Sequence, residues 1–365
     1  VKSRAFRTVM RVLTFQKYFF QSLTVGHCGP LPRLPAGFRN LFPVHTVDIA
    51  AAQDYALTII VFTILIKLVV MPLNLKSRRS TMRMSSLAPK QKALQEKYKD
   101  DQEKLNQKLQ ELYRKEGVNP MGSCLPMLIS MVILFAMFYA LRTFANEQLV
   151  SQFLTFYHNP EIDPHTLVEP FLWIKNLWMP DSPFATYMPD VQSLRMVDFK
   201  VWNDVSAKLV AAGTIPEALN FANANDLTNY ITQVVTPFVS SAAYAPYIAP
   251  VVGLGNLNIL GIIRFSIYQE GNGWFLLPIL SVVSQIFMQK LTMKNTQMDP
   301  SQESSQKMMI YVMTFMSLYF CASYNSAFAL YWVVSNIYAI IEQIGFTKYF
   351  EQQDRKASKA EEVGI

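Results

Sequence analysis

One lysine carries the strongest chemical signal in this 365-residue chain. Residues 55–73 form an apolar run interrupted by Lys67. Lys67 lies 12 positions after Tyr55 and 9 before Lys76. At ~1.5 Å per helical residue it is ~18 Å from one end of the run and ~13 Å from the other. A lysine stem covers only part of that distance, so the ammonium is badly placed to reach bulk water. A charge there costs about 3 kcal/mol or more unless it faces protein or water. A water-filled cavity open to the Lys76 side explains it most simply. Thr63 sits one helical turn away on the same face.

Two further stripes accompany it. Ser281, Gln285 and Gln289 recur every four residues, and Trp332 and Asn336 are also four apart. At that spacing each set shares a helix face. Three helices with polar stripes can enclose a hydrophilic groove. Ser, Gln and Asn also join membrane helices to one another with no further role. For the Gln and Asn residues both readings stay open; Lys67 itself favours function, because helix–helix glue needs no charge.

Other chemistries find no support. The cysteines Cys28, Cys124 and Cys321 are far apart, and the spacing suggests neither a disulfide framework nor a metal site. His27, His45, His158 and His165 form no metal-binding pair. No nucleophile elbow or phosphate loop is present, and Gly253-Leu254-Gly255 does not complete a dinucleotide fingerprint. The expectation is a protein with no cofactor, no metal and no catalytic residues.

The elements that position these residues follow from composition. Apolar residues make up 51% of the chain and charged ones only 16%, against about a quarter charged in soluble domains. Five stretches approach the ~20 apolar residues that cross a bilayer: 55–73, 124–144, 274–293, 308–324 and 328–344, the last carrying Asn336, Glu342 and Gln343. A sixth, 247–265, is broken by Pro250, Gly253, Gly255 and Gly261, and reads as extracytoplasmic or interfacial. Residues 76–116 hold 12 Lys/Arg against 6 Asp/Glu, whereas 146–272 hold 5 against 11. Positive loops stay inside, so 76–116 is expected to be cytoplasmic and 146–272 outside.

That order predicts an all-α integral membrane protein. Its expected segments are a basic leader (1–52), a span (53–75), a cytoplasmic helical hairpin (76–120), and a second span (121–145). An extracytoplasmic loop (146–272) follows, with an insertion at about 188–270. Then come a span (273–293), a cytoplasmic loop (294–307), spans at 308–324 and 328–345, and a cytoplasmic tail (346–365). The leader carries seven basic residues before its first acid, Asp48. Three readings of it stay open: a processed targeting segment, an extra weak span near 12–25, or an interfacial amphipathic helix. In the hairpin, Met84, Leu87, Leu94 and Tyr98 recur at helical spacing, as do Leu105, Leu109 and Leu112. Lys99-Asp100-Asp101 separates the two runs, and Gly117 and Pro120 end the second. The basic outer face reads either as a solvated connector or as a docking surface for lipid headgroups, ribosomal RNA or a targeting factor.

Several pieces, in this order, carry a resemblance. They are Ile66-Lys67-Leu68-Val69-Val70-Met71-Pro72-Leu73, Gln95-Glu96-Lys97-Tyr98-Lys99, and Leu112-Tyr113-Arg114-Lys115-Glu116-Gly117-Val118-Asn119-Pro120. After them stand Cys124-Leu125-Pro126, Phe171-Leu172-Trp173-Ile174-Lys175-Asn176-Leu177 with Pro180-Asp181, Leu277-Pro278-Ile279-Leu280, and Leu330-Tyr331-Trp332-Val333-Val334-Ser335-Asn336. Over about 54–344 the chain resembles the YidC/Oxa/Alb family of membrane protein insertases. The resemblance implies a five-helix core around a groove open to the cytoplasm and lipid. It puts Lys67 where relatives usually have an arginine that attracts acidic residues of a substrate's tail, and Gln289 and Trp332 at groove positions. Thr63, Gln285 and Asn336 complete the expected groove.

The chain departs from the family pattern at Ser130, Val132, Thr314 and Asn325-Ser326-Ala327, and in its long loop at 188–270. The implied function is insertion and folding of newly made membrane proteins. The implied partners are nascent membrane proteins and the lipid bilayer, with the ribosome, targeting factors and the Sec translocon as further candidates, and no specific DNA. The expected location is a bacterial cytoplasmic (inner) membrane, favoured by the hairpin and the short tail over an organelle membrane, which the basic leader leaves open. The alternative is a transporter or channel with an intramembrane lysine.

Overall fold

The computed structural model describes residues 55–117, 125–251, 257–259, 263–294 and 300–362. The basic leader, Cys28, Cys124, His27, His45 and Gly253-Leu254-Gly255 lie outside the described residues. In chain order the helices are α1 (Tyr55–Ser86), α2 (Ala88–Lys97), α3 (Gln102–Lys115) and α4 (Leu125–His158), followed by the short α5 (Val191–Arg195), α6 (Phe199–Ala211), α7 (Ala224–Tyr230) and α8 (Thr236–Val239). Strands β1 (Leu257–Ile259) and β2 (Ile263–Phe265) precede α9 (Leu276–Lys294), α10 (Pro300–Ser323) and α11 (Ser326–Glu362).

Among the described residues the fold is thus all-helical apart from one antiparallel strand pair, in which Leu257 faces Phe265 and Ile259 faces Ile263. The described parts of the glycine- and proline-broken stretch at 247–265 include these two strands and the end of a 3-10 turn at Ala245–Ile248. Among the described residues, Tyr55–Met84, Leu276–Met293 and Ser326–Gln353 are long and apolar enough to cross a membrane, and Ile310–Ser323 is a shorter apolar piece. α4 adds a helix of 34 residues.

Helix α1 shows why the long helices are membrane elements. Ile59, Phe62, Ile66 and Val70 are buried at helical spacing, while Leu57, Ile64, Leu68 and Met71 on the other face are exposed. A helix that is apolar on both its packed and its open face belongs in lipid. α9 exposes Ile279, Leu280, Val283, Ile286 and Phe287 in the same way, and α10 exposes Tyr311, Val312 and Phe315.

The chain divides into two compact units. Of the described residues, the first holds 55–60, 136–279 and 319–331, and the second 61–135, 280–318 and 332–362.

The first unit has an aromatic core. The α4 residues Met137, Leu141, Phe153 and Leu154 are fully buried. Tyr55, Phe144 and Trp178 pack with ring centroids 4.8–5.5 Å apart. Phe138 meets Tyr324 and Phe328 at 4.7 and 5.3 Å. Further along α4, Phe153 meets Trp202 of α6, and Phe156 meets Tyr244. The loop insertion is therefore built onto the end of α4. Its short helices start on side-chain caps: Asp190, Asp198 and Asn223 accept from the backbone N–H of Ser193, Lys200 and Asn225, which removes orphan donors at each start.

Two amides and one carboxylate tie the unit together. Asn176 donates to Gln152 Oε1 and to the Tyr187 carbonyl, and Asn272 donates to the carbonyls of Asn176 and Pro180. Asp181 accepts from the Trp173 indole and from the backbone N–H of Phe275 and Leu277, at 3.1, 3.2 and 2.6 Å. It thereby caps the start of α9 from a distant loop. The Asn325-Ser326-Ala327 departure is also accommodated here. Asn325 Oδ1 accepts from Phe328 N–H, and the Ser326 hydroxyl donates to the Met179 carbonyl.

In the second unit, α2 and α3 are joined through a turn, and Asp101 caps α3 by accepting from Lys104 N–H. Lys90 near the start of α2 pairs with Glu116 at the end of α3 at 2.6 Å, which makes the two helices antiparallel. Leu87 and Leu105 are buried, while Lys92, Lys97, Lys99, Lys104, Arg114 and Lys115 are exposed.

Candidate functional site: a charged cluster between membrane helices

Lys67 is half-buried on α1. Asn74 and Arg78 stand seven and eleven residues further on, close to whole helical turns, so all three share one face. The helix facing them is α11. Asn74 Nδ2 donates to both carboxylate oxygens of Glu342, at 3.2 and 3.1 Å. The Glu342 charge acts on Lys67 and on Arg78. Along the axis of α1, Asn74 is ~10 Å from Lys67 and ~6 Å from Arg78. The amide therefore holds the carboxylate nearer the level of Arg78. No ion pair among the described residues joins Glu342 and Lys67 in direct contact.

A second polar cluster lies on the same helix. Asn336 Nδ2 donates to Ser284 Oγ at 3.1 Å and to the Ser281 carbonyl at 3.4 Å. The Ser317 hydroxyl of α10 lies 3.3 Å from that of Ser281. Three helices thus converge on buried hydroxyls. Asn336 and Glu342 are six residues, ~9 Å, apart on α11.

The expected groove residues are distributed over these clusters. Thr63 is fully buried one turn from Lys67. Asn336 meets α9 at the Ser281 carbonyl and the Ser284 hydroxyl, so of the expected stripe it touches Ser281 alone. Gln285 and Gln289 are half-buried, and neither has a side-chain hydrogen bond among the described residues. Trp332 is half-buried one turn before Asn336. Asn74 holds Glu342, whose charge acts on both Lys67 and Arg78; the spacing of polar stripes singles out none of Asn74, Arg78 and Glu342. One signal does point to the pair: Lys67 is the single charged residue of 55–73, and Glu342 the single charged residue of 328–344. Isolated opposite charges in two spans pair by default.

The family model for the 60Kd inner membrane protein matches residues 48–354. Three similar proteins are each named membrane protein insertase YidC. The one from Pelodictyon phaeoclathratiforme is 41% identical over 144 residues, 40% of this chain and 21% of that protein. The one from Chlorobaculum tepidum is 44% identical over 131 residues, 36% of this chain and 19% of that protein. The one from Clostridium perfringens is 38% identical over 142 residues, 39% of this chain and 52% of that protein. The matched part therefore spans about a fifth of the first two relatives and about half of the third. With helices apolar enough to span, a match to the inner membrane protein family and relatives from bacteria, the chain is a multi-pass protein of the bacterial inner membrane. It belongs to the 60Kd inner membrane protein family.

Proposed function

We propose that the chain inserts newly made membrane proteins into the bilayer and assists their folding. The observation that carries this reading is Lys67, the single charged residue of the apolar run 55–73 on α1. The insertase names of its relatives agree with it.

The physical logic runs from solvation. Moving a polar tail across lipid strips water from its backbone and charges, which costs several kcal/mol per unsatisfied group. A hydrated groove reaching partway into the bilayer shortens the dry path. The groove would be lined by Thr63, Lys67, Gln285, Gln289, Trp332 and Asn336. Lys67 gives an acidic tail a transient partner where the dielectric is low. The apolar segment then leaves sideways into lipid, driven by its own transfer free energy. Each step is binding and release, so no covalent chemistry is assigned to the chain.

In this reading the α2–α3 hairpin is cytoplasmic and the loop at 146–272 lies outside. The substrates are nascent membrane proteins and the solvent is the lipid bilayer. The basic face of the hairpin suits the ribosome or a targeting factor, and the Sec translocon is a further candidate partner.

Reconstitution in proteoliposomes tests the reading. A single-span protein with an acidic amino-terminal tail is supplied, and protease protection of the tail is scored. The native chain and Lys67→Arg are expected to protect it, and Lys67→Glu is expected to lose protection. Protection no better than in empty liposomes would reject the insertase and favour a transporter or channel.

A further inference from the structure

Lys67 does not stand alone, and the way its neighbour is held has a consequence for selectivity. Glu342 is the acidic residue whose charge acts on Lys67. Asn74 grips both of its oxygens and keeps it at a level of α1 nearer Arg78. The lysine therefore feels a carboxylate that does not occupy it. The three side chains on α1 and the one on α11 carry two positive charges and one negative. An arriving tail carboxylate completes the balance. Glu342 and that carboxylate are the same chemical group, presented to the same cation from different distances.

We propose that Glu342, tethered by Asn74, is a resident competitor for Lys67 that sets how acidic a substrate tail must be to engage it. The proposal rests on the insertase reading above. With the tether in place, Glu342 weakens the field of Lys67 without filling the position beside its ammonium. A tail with several carboxylates outcompetes that distant charge, and a neutral tail gains nothing from the cation. Arg78 gives Glu342 a second cation on its own side, so the carboxylate is not left uncompensated while Lys67 holds a substrate. The field also falls back once the tail has passed, which favours release.

Two substitutions are expected to act in opposite directions, as a fold common to both would not. Glu342→Gln removes the competitor and keeps an amide-sized side chain against Asn74. Asn74→Ala removes the tether and frees Glu342 to approach Lys67 directly. The readout is the ratio of protected tail for two versions of one single-span probe, one with aspartates in the tail and one with asparagines at the same places. The native full-length chain is expected to give a ratio above one. Glu342→Gln is expected to raise it by about threefold or more, and Asn74→Ala to lower it toward one, since moving a unit charge by a few ångströms at an effective dielectric near ~20 changes the energy by more than RT. In a Lys67→Met background neither change is expected to move the ratio.

A ratio that falls in both variants would overturn the proposal, because loss of packing lowers both. So would a ratio unmoved in both while the native chain still prefers the acidic tail; that result would leave the insertase standing. Absence of protection by the native chain would remove the insertase reading and this proposal together.

Discussion

Asp181 is fully buried and accepts three hydrogen bonds, one from an indole and two from the backbone at the start of α9. Removing one partner of a buried bond leaves the others unsatisfied, at about 1–3 kcal/mol each. Asp181→Ala is therefore expected to destabilise the first unit by roughly 3 kcal/mol or more, read as a lowered melting temperature in detergent. Gly273 tests the same point from the other side. A Cβ there would sit 2.1 Å from Asp181 Oδ1, so Gly273→Ala displaces the carboxylate and is expected to lower the melting temperature too. At the other cluster, Asn336→Ala breaks the contacts to Ser281 and Ser284, and about 1 kcal/mol is expected for such a bond between membrane helices. Legibility differs sharply among these residues. Lys67 is visible in the sequence because a charge inside an apolar run violates its surroundings. Asp181 is one acid among many in a loop, and its partners stand up to 96 residues away. Asn74 and Glu342 are 268 residues apart, so no local spacing links them.

At the scale of elements, the long helices follow from apolar length and the short ones from capping chemistry. The break between α2 and α3 is announced by Lys99-Asp100-Asp101, and Asp101 is the cap that starts α3. Asp101→Ala is expected to cost α3 about 1 kcal/mol, seen as faster amide exchange in its first turn. The insertion at 188–270 is harder to read. Its helices of four to thirteen residues are too short for a clear period, and their order comes from packing on α4. Trp202 shows this, being fully buried against Phe153 and Tyr230. Trp202→Ala is expected to cost about 3–5 kcal/mol and to open the insertion to limited proteolysis. The strand pair β1–β2 has the same origin. The glycines and prolines of 247–265 argue against a spanning helix, but they do not specify the strand register that pairs Asn258 with Arg264.

At the scale of the molecule, the first unit is built on buried phenols, and these make its stability depend on alkaline pH. Burial raises Tyr187, with Glu270 adding to the shift; burial pushes Tyr230 up to about 12; and burial holds Tyr244 well above its ordinary value, with Asp190 adding to it. An unfolded chain titrates its tyrosines near ~10. The folded unit thus keeps protons that the unfolded chain gives up above that value. The stability these phenols contribute is fully present below about pH 10 and is lost as pH rises toward the raised values. The Tyr244 hydroxyl also donates to the Pro189 carbonyl at 2.7 Å. Tyr244→Phe therefore has two expected effects of opposite sign. At neutral pH it lowers the melting temperature, because a buried carbonyl loses its donor at about 1–3 kcal/mol. Between pH 10 and 12 it flattens the fall, because one proton-releasing group is gone from the unfolded state. Melting curves of native chain and variant across that range decide it. Converging curves at high pH support buried phenols as the source of the alkaline loss, and parallel curves place that source elsewhere in the unit.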